Sequence, residues 1–213
     1  MKIKVCGITS ARQLKELDES GVDYAGLIFY QKSPRYVLPK LMSREVSGLN
    51  LSLKKVGVFV NETVNNILDQ VEIYGLDLVQ LHGYETPPMC KLLNKVVGVI
   101  KAFHITDKSS PIDWMVAPYL DTCSHFLFDH SAENKYGGTG SAFDWRILEH
   151  AKVGKEFFLS GGIAPDSVGD LHKFHHPYFY AIDINSRFEI TPGVKNMDMV
   201  TDFVKKIKMT SIT

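Results

Sequence analysis

Short runs rich in β-branched and aromatic residues alternate along the chain with longer amphipathic stretches. This is the pattern of parallel strands joined by crossover helices. Eight such runs are found, at residues 3–6, 24–30, 55–60, 76–82, 97–103, 125–129, 156–160 and 180–184. Their C-terminal ends, taken as Cys6, Phe29, Val60, His82, Phe103, Asp129, Ser160 and Asp183, fall 21 to 31 residues apart, room for one β/α unit each. The intervening helices are predicted at 10–20, 43–49, 63–74, 87–93, 112–119, 144–151, 166–173 and 196–209. Thr63 and Asp166 are expected to cap first-turn amides, and Gly21 and Gly75 to take the left-handed position after a helix. Ser47-Gly48 should interrupt the second helix and Pro118 should truncate the fifth. Eight units predict an α/β fold, a single (β/α)8 TIM barrel over residues 1–213, where an open doubly wound sheet would more often have five or six strands.

Composition narrows the class. The hydrophobic fraction of 45% and the charged fraction of 23% are those of an ordinary globular domain, and 24 basic residues balance 24 acidic ones. That balance suggests neither nucleic acid nor an acidic membrane as partner, so any anion site must be local. Met1-Lys2-Ile3-Lys4-Val5 runs into a strand without the apolar core of a signal peptide, and no stretch approaches the roughly eighteen apolar residues of a membrane span. A cytoplasmic protein is expected. Cys6, Cys90 and Cys123 are too scattered for a disulfide framework or a zinc site, and the last two read as passive thiols.

In a closed barrel, chemistry belongs at the C-terminal strand ends and the loops beyond them. Strand 1 ends in Val5-Cys6-Gly7-Ile8-Thr9. A buried strand cysteine is commonly inert, but a period of two places Lys4 on the same face as Cys6. An ammonium there should raise the thiolate fraction and suit Cys6 to act as a base. Asp129 follows the apolar run of strand 6. It is either an exposed loop carboxylate or, over a partly desolvated barrel mouth, an acid with a raised pKa.

Ser160-Gly161-Gly162-Ile163 after strand 7 and Asp183-Ile184-Asn185-Ser186-Arg187 after strand 8 occupy the loops where barrels commonly bind phosphate. Arg187 either adds charge to that site or points into solvent. Gly137-Gly138-Thr139-Gly140 has no nucleotide-binding context and reads as a lid. Arg35, in the Ser33-Pro34-Arg35 turn after strand 2, is either a solvated arginine or a bidentate clamp for a substrate carboxylate. His82 shares a strand face with Gln80, and either lines the pocket or is a hydrogen-bonded core histidine. No metal is expected: His172, His175 and His176 lack a ligand spacing and belong to a helix end and loop away from the mouth.

Over nearly its whole length the chain resembles the phosphoribosylanthranilate isomerases of tryptophan biosynthesis. The matching segments include Lys4-Val5-Cys6-Gly7-Ile8-Thr9, Gly26-Leu27-Ile28-Phe29-Tyr30 running into Lys32-Ser33-Pro34-Arg35-Tyr36, Val56-Gly57-Val58-Phe59-Val60-Asn61, Gln80-Leu81-His82-Gly83, Ser160-Gly161-Gly162 and Pro192-Gly193-Val194-Lys195. The resemblance implies a cofactor-free Amadori rearrangement with Cys6 as general base, Asp129 as general acid, Arg35 on the anthranilate carboxylate and the last two βα loops on the phosphate. Asp183 is expected to hydrogen-bond the sugar hydroxyls. Two positions depart from the family pattern: Arg187 stands where a glycine is usual, and Ser141 where a lysine follows the strand-6 glycines.

The implied partner is a small phosphorylated substrate, with the chain a monomer or homodimer. Other phosphate-binding barrels of the pathway rely on lysine with glutamate or on a carboxylate pair, so a strand-1 thiol argues against them. A non-catalytic phosphometabolite-binding barrel is the rival from another class, and the joint presence of Cys6, Asp129 and Arg35 argues against it.

Overall fold

The computed structural model describes residues 1–105, 111–130 and 145–209. Its strands β1 (Lys2–Cys6), β2 (Tyr24–Ile28), β3 (Lys54–Phe59), β4 (Leu78–Leu81), β5 (Gly98–Ile105), β6 (His125–His130), β7 (Phe157–Leu159) and β8 (Phe179–Ile184) pair in parallel in chain order, and β1 closes on β8. Closure leaves the barrel sheet no open edge. The helices are α1 (Ala11–Glu19), α2 (Ser43–Ser47), α3 (Val64–Tyr74), α4 (Pro87–Leu93), α5 (Ile112–Val116), α6 (Arg146–Glu149), α7 (Val168–Lys173) and α8 (Met197–Met209). The barrel is the one that the repeat spacing predicts. No helix among the described residues is long and apolar enough to cross a membrane.

The strands are apolar on both faces because both faces are covered. Ile3 and Val5 of β1 pack in the same outer cluster as Leu14 and Leu17 of α1 and Phe203 and Val204 of α8, while Tyr24, Val56, Leu78, Ile100, Leu127, Phe158 and Ala181 fill the barrel. Farther along the inner face of the same strands, toward their C-terminal ends, come Cys6, Gln80, Asp129 and Asp183. The apolar pattern that sets each strand's register therefore also aims these polar side chains at the mouth.

Helix ends follow local chemistry. Thr63 accepts a hydrogen bond from the Asn66 amide at 3.3 Å, and Gly75 ends α3 at φ 57°. Gly21 takes φ 77° after α1. Asp166 does not cap its helix: Pro165–Ser167 forms a 3-10 turn in which the Ser167 hydroxyl accepts from the Ala164 amide at 3.0 Å, and α7 begins only at Val168. Pro165 suits that first position because its missing N–H would be unsatisfied there. Pro118 lies in a second 3-10 turn, Ala117–Tyr119, directly after α5, so the predicted truncation is found.

Two departures from the predicted elements bear on the site. Strand β5 runs to Ile105 and so carries His104 beyond the predicted end at Phe103. After β8, a 3-10 turn at Ser186–Phe188 leads into an antiparallel hairpin of β9 (Glu189–Thr191) and β10 (Val194–Lys195), which the strand pattern did not predict. The predicted lid at 137–140, Ser141 and the start of the helix predicted at 144–151 lie outside the described residues.

Candidate active site

Cys6, Arg35, His82, Asp129, Gly161, Gly162, Asp183, Ser186 and Arg187 line a single cavity of ≈ 390 Å³ over the C-terminal ends of the strands. Cys6 is buried, and Gly26 on the neighbouring strand makes room for it. A Cβ at Gly26 would stand 2.8 Å from the Cys6 sulfur and 3.0 Å from its Cα. Lys4, fully buried one step below, donates to both Asp183 oxygens at 2.9 Å. Burial opposes the Lys4 charge, but the Asp183 carboxylate and the Cys6 sulfur more than offset it and hold the lysine pKa above its ordinary value.

The cation expected beneath the thiol is thus present and pulls the Cys6 pKa down as expected, yet the net shift is upward. Burial pushes the Cys6 pKa up, Lys4 and Lys195 pull it down, and Asp183 pushes it up again, for a net rise. Lys4 is already engaged by Asp183, so its pull does not overcome desolvation. Asp183 accepts from Lys4 through both oxygens and also lines the cavity.

Asp129 is buried on the inner face of β6 and faces His82, whose Nε2 lies 3.4 Å from Oδ2. His82 Nδ1 is 2.8 Å from the Gln80 amide nitrogen, a donor, which leaves the ring proton on Nε2 toward Asp129. Burial alone would raise the Asp129 pKa, as the sequence reading expects. Contact with His82, the nearby His104 and a hydrogen bond with Ser160 reverse this and hold it below the ordinary aspartate value. Burial, followed by the charge of His82, lowers the His104 pKa. Ligand atoms of His82, His104 and Asp129 lie within 4.8 Å of one another, and among the described residues this is the set able to hold a metal ion. The late histidines considered from sequence are not part of it.

Arg35 is neither solvated nor unpaired. Its Nε donates to Glu189 Oε1 at 2.9 Å and Oε2 at 3.1 Å, and its Nη2 donates to Oε2 at 2.6 Å. Gly7 permits this approach: at φ 80° it takes a conformation that suits glycine, and a Cβ there would fall 2.6 Å from Arg35 Cδ. Gly161 and Gly162, which also line the cavity, take φ 89° and 74°, so the backbone after β7 turns where it meets it. The Trp145 indole donates to the Gly161 carbonyl at 3.3 Å, and Ser186 opens the turn after β8. Arg187 is exposed at the cavity's edge. Sequence reasoning missed Gly26, His104, Glu189 and Lys195; Gly26, Gly193 and Lys195 fall in matched segments, but their spatial partners are far away in sequence.

Residues 3–206 match the family model described as N-(5'phosphoribosyl)anthranilate (PRA) isomerase. The chain belongs to this isomerase family. It is 40% identical over 210 residues to the N-(5'-phosphoribosyl)anthranilate isomerase of Parabacteroides distasonis, covering 97% of this chain and 93% of that one. Among solved structures, the phosphoribosyl anthranilate isomerase of Thermotoga maritima superposes with a TM-score of 0.84 at 33% identity, covering 98% of this chain and 99% of that one. Another isomerase structure, with the same identity and coverage and a TM-score of 0.81, holds reduced 1-(o-carboxyphenylamino)-1-deoxyribulose 5-phosphate.

Proposed function

We propose that this chain converts N-(5-phosphoribosyl)anthranilate to 1-(2-carboxyphenylamino)-1-deoxyribulose 5-phosphate in tryptophan biosynthesis, with Cys6 as base and Asp129 as acid. The observation that carries the assignment of roles is that a thiol and a carboxyl from β1 and β6 share one cavity with Arg35 and the turns after β7 and β8. The family match over nearly the whole chain supplies the substrate.

The reaction needs only proton transfers. Asp129 in its acid form protonates the furanose ring oxygen as the bond from that oxygen to C1′ breaks, leaving a protonated Schiff base. The Cys6 thiolate then removes the C2′ proton, and the electrons of that C–H bond move to form an enolamine. The enolamine gains a proton at C1′ and loses one from the 2′-hydroxyl, giving the ketone. Arg35 binds the anthranilate carboxylate and the turns at Gly161, Gly162 and Ser186 hold the phosphate, with Arg187 at its edge. Binding at both ends of the substrate orients the reacting carbons between acid and base. Lys4 and Lys195 stabilise the thiolate when it forms, and His82 keeps its Nε2 toward Asp129.

The test follows the loss of substrate fluorescence with wild type, Cys6→Ala and Asp129→Ala. Each variant should lose on the order of 10²–10⁴-fold in turnover. An inactive wild type sinks the assignment, and full activity in either variant removes that residue from its role.

A further inference from the structure

We propose that Glu189 is the positioning residue for recognition of the substrate's aryl carboxylate, acting through Arg35. The proposal rests on the reading of Arg35 given above. A planar guanidinium has two edges able to bind a carboxylate with paired hydrogen bonds, one formed by Nε with Nη2 and the other by the two terminal nitrogens. Glu189 occupies the first, at 2.9 Å from Nε and 2.6 Å from Nη2. Among the described residues, no protein acceptor takes the outer edge at Nη1. Arg35 lines the cavity, so that outer edge is the part of the group left for a guest carboxylate.

Glu189 is itself immobilised. Its side chain is only 4% exposed, and it accepts from Lys195 Nζ at 2.8 Å and from the Gly193 amide at 3.0 Å. Lys195 is held by Asn185, 2.7 Å from its side-chain oxygen, while its own amide donates to Gln13 Oε1 at 3.0 Å. The hairpin is fastened to the turn after β1 and to α1 as well, since the Gly193 carbonyl accepts from Thr9 at 2.6 Å and from Gln13 at 3.2 Å. Arg35 therefore leans on a carboxylate that Lys195 and the Gly193 amide also hold, and its guanidinium plane is set before substrate arrives. Two cations share one carboxylate, so the cluster also keeps one positive charge in excess, which favours an anionic guest. The pairing lets Glu189 stay ionised: burial pushes its pKa up, but Arg35, Lys195 and the Gly193 amide hold it below the ordinary value.

A pin that only held the hairpin in place would affect every substrate alike. A positioning residue affects the carboxylate. The experiment compares kcat/KM for the substrate with that for the analogue made from aniline, which lacks the carboxylate, in wild type, Glu189→Gln, Arg35→Met and the double variant. Arg35→Met should reduce the preference for the carboxylated substrate by ~10²-fold, the loss expected when a buried carboxylate is left without its partner. Glu189→Gln should reduce the preference by ~10-fold, chiefly through KM, as expected for a displaced binding group. In the Arg35→Met background it should reduce it no further. Glu189→Asp, which keeps the charge on a shorter arm, should fall between wild type and Glu189→Gln, and it serves as the test if Glu189→Gln does not fold. Equal losses on both substrates, or additive losses in the double variant, overturn the proposal. An unchanged preference in Arg35→Met instead removes the carboxylate reading on which it stands.

Discussion

The Nε2 of His82 stands 3.4 Å from Oδ2 of Asp129 and approaches it from the adjoining side of the barrel mouth. Because Gln80 donates to the opposite ring nitrogen, the orientation of the imidazole is decided from the same strand, two residues away. His82 thus holds the proposed acid in its ionised form in the unliganded chain, against the pull of burial.

Replacing His82 with leucine should therefore raise the Asp129 pKa. The side chain stays buried, so desolvation remains while the contact that lowers the pKa is lost. A carboxyl-labelled NMR titration of wild type and His82→Leu reads this directly. A midpoint that stays put or moves down means that His82 does not govern Asp129.

In the resting chain the raised Cys6 pKa and the lowered Asp129 pKa favour the proton of the proposed pair on sulfur. The reaction needs the opposite arrangement. The two forms carry the same number of protons, so their ratio does not change with pH. The pH profile of kcat/KM should accordingly be flat across neutrality, apart from substrate phosphate ionisation at about pH 6. It should fall only below the ordinary aspartate range and above the ordinary thiol range. Alkylation of Cys6 by iodoacetamide should have a midpoint above that of a free thiol, and Lys4→Met should move it higher still. A midpoint at or below neutrality contradicts the burial argument.

Gly26→Ala should push the Cys6 sulfur out of place, because the new methyl would lie 3.0 Å from backbone at Cys6 Cα and has no flexible neighbour to displace there. The cost to stability is about 1–3 kcal/mol, as for other overpacked core sites, with turnover falling more than KM rises. Wild-type turnover in a folded Gly26→Ala protein would show that the thiol's position is not critical.

Outside the barrel wall, Lys101 donates to the carbonyls of Leu81 and Gly83 at 3.1 Å and 2.7 Å and to Glu85 Oε2 at 2.9 Å. Glu85 also accepts from the Asn61 and Gly83 amides, so the ion pair joins the loops after β3 and β4. Glu85→Gln or Lys101→Met alone should cost roughly 3–5 kcal/mol by stranding a buried charge, and the double replacement should cost less than the sum. Burial raises the Glu85 pKa, but Lys101 and the backbone amides of Asn61 and Glu85 bring it below the ordinary value. Its stabilising contribution is therefore complete above the unfolded-state pKa of about 4.3 and is lost as pH falls through the folded value. Melting temperature against pH should decline less steeply in acid for Glu85→Gln than for wild type, and parallel declines argue against this linkage.

The barrel could be read from sequence because its signals are local: a β/α repeat of regular length and a two-residue alternation that decides which side chains face inward. Cys6 and Asp129 could be read for the same reason, being the polar residues that follow apolar strand runs. Glu189 could not, since its partner Arg35 is 154 residues away and the hairpin that carries it is built from strands too short to show a period. His104 was hidden because the apolar run of β5 stops at Phe103 while the backbone pairing continues to Ile105. The protonation of the pair was misread for another reason. It depends on a balance between burial and neighbours, and the sequence shows only that Lys4 is near Cys6, not that Asp183 has already claimed it.

The ion pair between Lys4 and Asp183 joins side chains 179 residues apart, one on the first strand and one on the last. During synthesis the lysine emerges early and has no counter-ion until β8 leaves the ribosome. A nascent chain short of β8 must keep water around that ammonium, and its barrel interior stays wet. β8 is the last of the eight barrel strands, so the ammonium beneath the thiol gains its carboxylate only when that strand closes on β1.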